Sequence, residues 1–349
     1  MNKIKLGIIG TGMALKRLHW PALQKLQDKY EIVALCNRTR ADAESFAQKI
    51  NLGSENIYED YNEMLQRNDI EAVDLMVPIP DNFDIAKAVV KSGKNLIAEK
   101  PLAATLEGAK KLLNLHQEYD VKIMVAENYR YNEEINKIRD LVNQGKIGEI
   151  VYFIKNKTVD FEKEMKKNTF AATEWRQHPD YRGGTFLDAA IHDLAGLRHI
   201  FGKVNQVYGM GRPQQEDFCP YMSINSQILF ESGVIGQYSY YTDDKETQAP
   251  LIGLRIFGTK GEIFLEETKS GVINISYNDG NSEKINYKPK RGYYNELLNF
   301  YNALRGNEEI SVTPEVEYGD IKMVFDILDS IEANEPKKVD QKIKKEILV

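Results

Sequence analysis

Three groups of residues have the types and spacing of hydride-transfer chemistry. The first is Gly10-Thr11-Gly12-Met13-Ala14, which follows the apolar run Ile4–Ile9. A first glycine there permits a tight strand-to-helix turn, and a second lets backbone amides approach a pyrophosphate, so the segment outlines a dinucleotide-binding loop. Leu15 stands at the third small position of that pattern, with Ala14 one step early, so the helix must pack against its strand differently. The second group is Glu99-Lys100-Pro101, which ends the run 96–98. Pro101 biases Lys100 away from helical dihedrals, and a Lys-Pro bond is one that can be cis. A lysine leaving a strand end in a restricted direction can meet a bound nicotinamide and donate a proton. By itself the triplet is more commonly a strand end with a solvated surface lysine; its position downstream of the glycines favours the functional reading. The third group, Tyr181 to His192, starts as the turn Gly183-Gly184 and continues as a helix with Asp188 and His192 four residues apart. One helical turn puts such a pair on one face, roughly 5–6 Å apart, which suits proton transfer to a carbohydrate oxygen. The alternatives are a surface pair or part of a metal site. Trp175-Arg176 just upstream suggests a cleft, and His19, His116, His178 and His199 show no ligand spacing, so no metal is expected.

These groups need elements to hold them. Apolar runs at 4–9, 32–36, 72–77, 96–98 and 122–125 alternate with segments 40–50, 61–67, 83–92 and 105–116 that place apolar residues at three- and four-residue steps. That is the βα alternation of a parallel sheet. After a helical segment at 132–145 the texture changes to alternating runs at 150–158, 204–210, 223–230, 234–240, 252–257 and 261–265, read as antiparallel strands, then two closing helices at 294–304 and 315–333. With 349 residues, two domains are expected, 1–127 and 128–349, with the boundary near Glu127.

Composition narrows the function. The hydrophobic fraction of 42% fits a globular protein, and the short run at 6–9 is no signal-peptide core or membrane span. Two cysteines, Cys36 and Cys219, give neither a disulfide framework nor metal spacing, so the cytoplasm is the expected compartment. A net charge of −6 argues against nucleic acid as a partner. The lysine-rich tail 337–345 interleaves Asp340 and is followed by Glu346; it reads as solvated or loosely docked.

At the second strand end the chain reads Cys36-Asn37-Arg38-Thr39-Arg40, where an NAD-specific site offers an acid to the adenosine ribose. Asn37 removes the charge that would repel a 2′-phosphate, and Arg38 or Arg40 can supply guanidinium donors to it. NADP(H) is therefore favoured over NAD(H); solvated arginines at a helix start are the alternative.

In order, Gly10-Thr11-Gly12, Glu99-Lys100-Pro101, Asn128-Tyr129-Arg130, Trp175-Arg176 and Gly183-Gly184…Asp188…His192 make the chain resemble the Gfo/Idh/MocA oxidoreductases over nearly its whole length, through Tyr293…Glu296-Leu297…Phe300. The resemblance implies a Rossmann domain with a doubly wound parallel sheet. It also implies a C-terminal α+β domain on a largely antiparallel open sheet, which carries the substrate site and the interface of a homodimer or homotetramer. Members move hydride between NAD(P) and a hydroxyl or ketone carbon of a sugar, keto-sugar or inositol-like polyol. By position, Lys100, Asp188 and His192 match the catalytic residues, with Lys100 and His192 handling the proton and Asp188 orienting His192. Pro78 and Asn82 fall in a loop that borders the nicotinamide half, where many members carry a histidine at the Asn82 position. Glu99, Asn128, Trp175, Arg176 and Tyr293 resemble residues that border cofactor or substrate, packing being the alternative for the last three. Two other outcomes occur among such proteins: hydrolysis through transient oxidation, and sensing without chemistry. Retention of Lys100, Asp188 and His192 weighs against the sensor.

Overall fold

Six short strands build the sheet that carries the glycine loop: β1 Ile4–Ile9, β2 Tyr30–Cys36, β3 Ile57–Tyr58, β4 Ala72–Leu75, β5 Asn95–Glu99 and β6 Ile123–Ala126. The structure, a computed structural model, describes residues 3–242 and 253–339. The strand order is β3-β2-β1-β4-β5-β6, and every pair is parallel. This is the doubly wound arrangement in which the chain leaves β1 in opposite directions, opening a crevice at the carboxyl ends of the strands. Helix Arg40–Ile50 has the expected bounds and buries Ala43, Phe46 and Ala47. Helix Ile79–Lys91 starts four residues earlier than the periodicity implies. Pro78 is its N-cap and Pro80 lies in its first turn, where the missing N–H has no intrahelical partner to lose. Strand β3, two residues long, is too short to leave a pattern in the sequence. The same compact unit comprises residues 1–131, 180–182 and 291–318, and so includes helix Tyr293–Leu304.

The second unit comprises residues 132–179, 183–290 and 319 onward. Its sheet consists of β7 Ile150–Thr158, β8 Val204–Pro213, β9 Tyr221–Phe230, β10 Ile235–Tyr241, β11 Gly253–Gly258, β12 Gly261–Leu265, β13 Val272–Tyr277, β14 Ser282–Asn286 and β15 Lys337–Lys338. The order is β14-β13-β12-β11-β7-β10-β9-β8-β15. One pair departs from the antiparallel expectation: β10 runs parallel to β7. The long crossover after β7, which contains helix Ile191–Phe201, supplies the connection that a parallel pair needs. Hairpin β13–β14 extends one edge, and β15 docks the start of the lysine-rich tail on β8. The rest of that tail, 340–345, and position 252 of the expected strand 252–257 lie outside the described residues.

Phe153, Tyr238, Tyr240, Ile224 and Ile228 are buried on one face of this sheet, where Phe153 stacks on Phe201 at 4.9 Å. On the other face the register aligns Phe257, Tyr152, Ile235 and Leu229 in a row across β11, β7, β10 and β9. Among the described residues no helix is long and apolar enough to cross a membrane.

Candidate active site

Gly10 follows β1 with φ +94°, and a Cβ there would lie 2.1 Å from the Met76 carbonyl oxygen beyond β4. Only glycine fits this left-handed position at such a close approach. At Gly12 the situation is opposite: nothing lies within 4 Å of where its Cβ would be, so a ligand can reach the backbone. The Thr11 N–H donates to Asn37 Oδ1 at 3.1 Å, which fixes the loop to the end of β2. Thr11 Oγ1 is buried without a hydrogen-bond partner. Open backbone and a spare hydroxyl suit a phosphate group. Met13 and Ala14 lead into a wide π-turn, Leu15–His19, in which Leu15 is fully buried. The widened turn makes room for the large residue at the third position of the glycine pattern.

The two arginines beyond β2 have different fates. Arg40 Nε donates to Glu44 Oε1 at 2.9 Å, while its Nη1 and Nη2 each lie 3.2 Å from the carbonyls of Ile57 and Ser54. The guanidinium expected to meet a 2′-phosphate thus ties its helix to the turn before β3. Arg38 is 81% exposed, and its Nη1 lies 3.5 Å from Asp81 Oδ2. Asn37 Nδ2 donates to the Thr39 carbonyl.

Lys100 follows β5, and the Lys100–Pro101 peptide is cis. Asn82, only 1% exposed, donates from Nδ2 to the Glu99 carbonyl at 2.6 Å and the Pro101 carbonyl at 2.8 Å. Asn82 therefore clamps the backbone on both sides of Lys100. Asn128 is buried in the turn Asn128–Tyr131 beyond β6.

Beneath these residues lies a buried cluster around His19, a residue given no role in the sequence reading; Glu99 and Tyr293, expected to border cofactor or substrate, belong to it. His19 is fully buried; its Nδ1 lies 2.9 Å from Asp74 Oδ2 and its Nε2 lies 3.1 Å from Glu99 Oε1. Burial works against a charged ring, yet Asp74 and then Glu99 hold its pKa well above the ordinary 6.5. Tyr293 packs its ring 5.7 Å from the imidazole. Glu296 is fully buried, with no hydrogen-bond partner at either oxygen. Burial raises its pKa well above the usual carboxylate value; His19 opposes this, and Glu99, Glu127 and Asp74 add to it. One signal was available: Asp74 is a charged residue inside the apolar run 72–77.

In the second unit the structure joins three of the expected residues. Arg176 Nε donates to Asp188 Oδ2 at 2.6 Å, and the Arg176 guanidinium lies 3.9 Å from the centre of the Trp175 ring. Gly184, at φ +50°, passes so close to Phe218 that a Cβ would lie 2.2 Å from its carbonyl oxygen. Asp188 sits in a π-turn, Phe186–Ala190, and His192 in the helix Ile191–Phe201 that follows. The regular helical spacing expected between them is thus broken by a wide turn. Asp193, buried beside His192, lies 3.1 Å from Lys155 Nζ and accepts a hydrogen bond from the Tyr238 hydroxyl at 3.2 Å. Burial opposes its charge, but Lys155 and Lys157 hold its carboxyl below the usual range. Tyr240 donates to the Thr185 carbonyl in the core. Lys100 belongs to the first unit, and Asp188 and His192 to the second. Among the described residues no group of three or more His, Cys, Asp or Glu could hold a metal ion.

Two family models match. The oxidoreductase NAD-binding Rossmann fold covers residues 4–127, and the oxidoreductase C-terminal alpha/beta domain covers residues 139–339. An uncharacterised protein of Saccharomyces cerevisiae is 29% identical, over 87% of this chain and 88% of its own length. Myo-inositol 2-dehydrogenase of Thermotoga maritima is 23% identical, over 89% of this chain and 91% of its own length. The crystal structure of an oxidoreductase from Thermotoga maritima superposes with a TM-score of 0.86 at 27% identity, covering 97% of this chain and 99% of that one.

Proposed function

Because the chain belongs to the Gfo/Idh/MocA oxidoreductases, we propose that it is an NAD(P)-dependent dehydrogenase or ketoreductase acting on a hydroxyl or ketone carbon of a sugar, keto-sugar or inositol-like polyol. The observation that carries this reading is the open backbone at Gly12 beside β1, on the same sheet as the clamped Lys100 beyond β5. The similarity to a myo-inositol 2-dehydrogenase supports the polyol class. A bound nicotinamide supplies or accepts the hydride. Lys100 and His192 exchange the proton of the substrate oxygen. Arg176, paired with Asp188, holds that acid in place next to the helix of His192. Gly10, Thr11, Gly12 and Asn37 form the cofactor cradle. The buried, unpaired thiols of Cys36 and Cys219 fit a reducing cytoplasm.

NADP(H) is the preferred cofactor in this proposal, supported by the absence of an acid at Asn37 and by the exposed Arg38. Fluorescence titration of cofactor-stripped protein is expected to give at least tenfold tighter binding of NADPH than NADH, about 1.4 kcal/mol. Tighter NADH binding removes the role of Arg38, and binding of neither removes the dehydrogenase reading. A screen of myo-inositol and keto-sugars with the preferred cofactor then identifies the substrate class.

The row Phe257, Tyr152, Ile235 and Leu229 is the self-association surface of this proposal, with Ile235 50% exposed. Such an apolar patch on one face of a sheet marks an interface. Ile235→Glu is expected to shift a dimer or tetramer to monomer in sedimentation velocity; an unchanged sedimentation coefficient points to another surface.

A further inference from the structure

His19 has no part in the function proposed above, yet it ties together three elements on which that function depends. The residue closes the π-turn that follows the glycine loop. One ring nitrogen meets Asp74 of β4 at 2.9 Å, and the other meets Glu99, the last residue of β5 and the one before Lys100, at 3.1 Å. A ring facing a carboxylate at each nitrogen needs two N–H donors, which only the imidazolium has. The environment fits that form. Burial disfavours the charge, but Asp74 and Glu99 outweigh it. Tyr293 and Glu296 from helix Tyr293–Leu304, Glu127 beyond β6, Tyr30 of β2 and Arg291 are further ionisable groups near the cluster. Glu99 retains 15% side-chain exposure, so the cluster reaches from the protein interior to the strand end. The ring is rigid, and its two nitrogens fix the separation of Asp74 and Glu99 in a way that a flexible side chain does not.

We propose that His19 is a positioning residue for the reaction: by bridging Asp74 and Glu99 it holds the Glu99-Lys100-Pro101 strand end against β4 and the turn after the glycine loop, so that the lysine and the cofactor-binding backbone keep one geometry. Asn82 holds the main chain of the same segment, and His19 holds its side chain. The inference rests on the reading of Lys100 as the group that exchanges the proton.

The test follows the rate at which trinitrobenzenesulfonate labels Lys100, read by peptide mass spectrometry in cofactor-saturated protein. It compares the wild type, His19→Gln and the double variant His19→Gln/Asp74→Asn. The single variant leaves buried carboxylates without their cation and is expected to unfold at lower temperature. The double variant removes one charge of each sign, so its unfolding temperature is expected to return toward wild type while the bridge to Glu99 stays broken. In the double variant the labelling rate of Lys100 is expected to change by threefold or more. That of Lys122, whose ammonium donates to the Ala303 carbonyl, should stay constant. A change in Lys100 labelling below threefold makes His19 an ion pair that only holds the fold, and the proposal is overturned. Failure of the functional reading is seen separately, on the wild type, as binding of neither dinucleotide; that result removes both.

Discussion

Replacing Lys100 by alanine is expected to lower turnover by about 10²–10⁴-fold, the usual range for a positioned general acid or base, while the dinucleotide Kd stays within about threefold. The asymmetry follows from where the residue stands. The proposed cradle for the cofactor is main chain at Gly10 to Gly12, tied to Asn37 through the Thr11 N–H, and Lys100 lies outside that loop, beyond β5. Asn82 grips the carbonyls of Glu99 and Pro101, so the backbone at position 100 is held independently of what the side chain does. Lys100→Arg is expected to fail as well: a guanidinium keeps the charge but does not release a proton in the working pH range. Steady-state turnover with the polyol or keto-sugar found in the screen, together with fluorescence titration of the cofactor, measures both halves. A Lys100→Ala enzyme of near-native turnover would transfer the proton role to another residue. An equal loss in cofactor affinity would make the lysine a binding group.

The elements that carry these groups were legible wherever one period of hydrophobicity ran long enough to be read. Helix Arg40–Ile50 and strands Ile150–Thr158 and Gly261–Leu265 have the bounds the pattern implies. Errors came where local signals compete. Pro78 and Pro80 read as loop but start a helix, because a helix's first turn tolerates a missing N–H. The parallel partnering of β7 and β10 has no local signature at all, since it depends on a crossover that brings distant segments together. The site divides in the same way. Gly10, Lys100 and the Arg176 to Asp188 group were visible as motifs because their neighbours in sequence carry the pattern. His19 was not, because its partners lie 55 and 80 positions away, on β4 and β5. The partners of Arg40 were hidden for a related reason: the carbonyls of Ser54 and Ile57 that it meets are presented by a turn whose return path is set by the sheet. Charge type and spacing name a candidate, and the topology decides what it meets.

Glu296→Gln is expected to stabilise the protein, by an amount that grows with pH. Glu296 is fully buried, and its pKa stands well above the ordinary 4.5, first because of burial and then because Glu99, Glu127 and Asp74 lie near, with His19 as the opposing cation. The folded state therefore keeps a proton that the unfolded chain releases. Below pH 4.5 both states carry it, and the residue contributes no pH dependence. Between the ordinary value and the raised one the folded state binds more protons, so each pH unit lowers stability by about 1.4 kcal/mol. Glutamine has nearly the same shape and no proton to lose, and below the raised pKa it replaces a neutral side chain, so the charges on His19, Asp74 and Glu99 stay as they are. The two proteins should thus unfold at similar temperatures near pH 4.5, and the variant should gain by several degrees toward pH 8, measured by thermal unfolding across that range. A difference independent of pH would mean that Glu296 is ionised in the folded protein. In that case its proton would be taken up alike by the folded and unfolded protein, and neither burial nor the neighbouring carboxylates would hold Glu296 protonated.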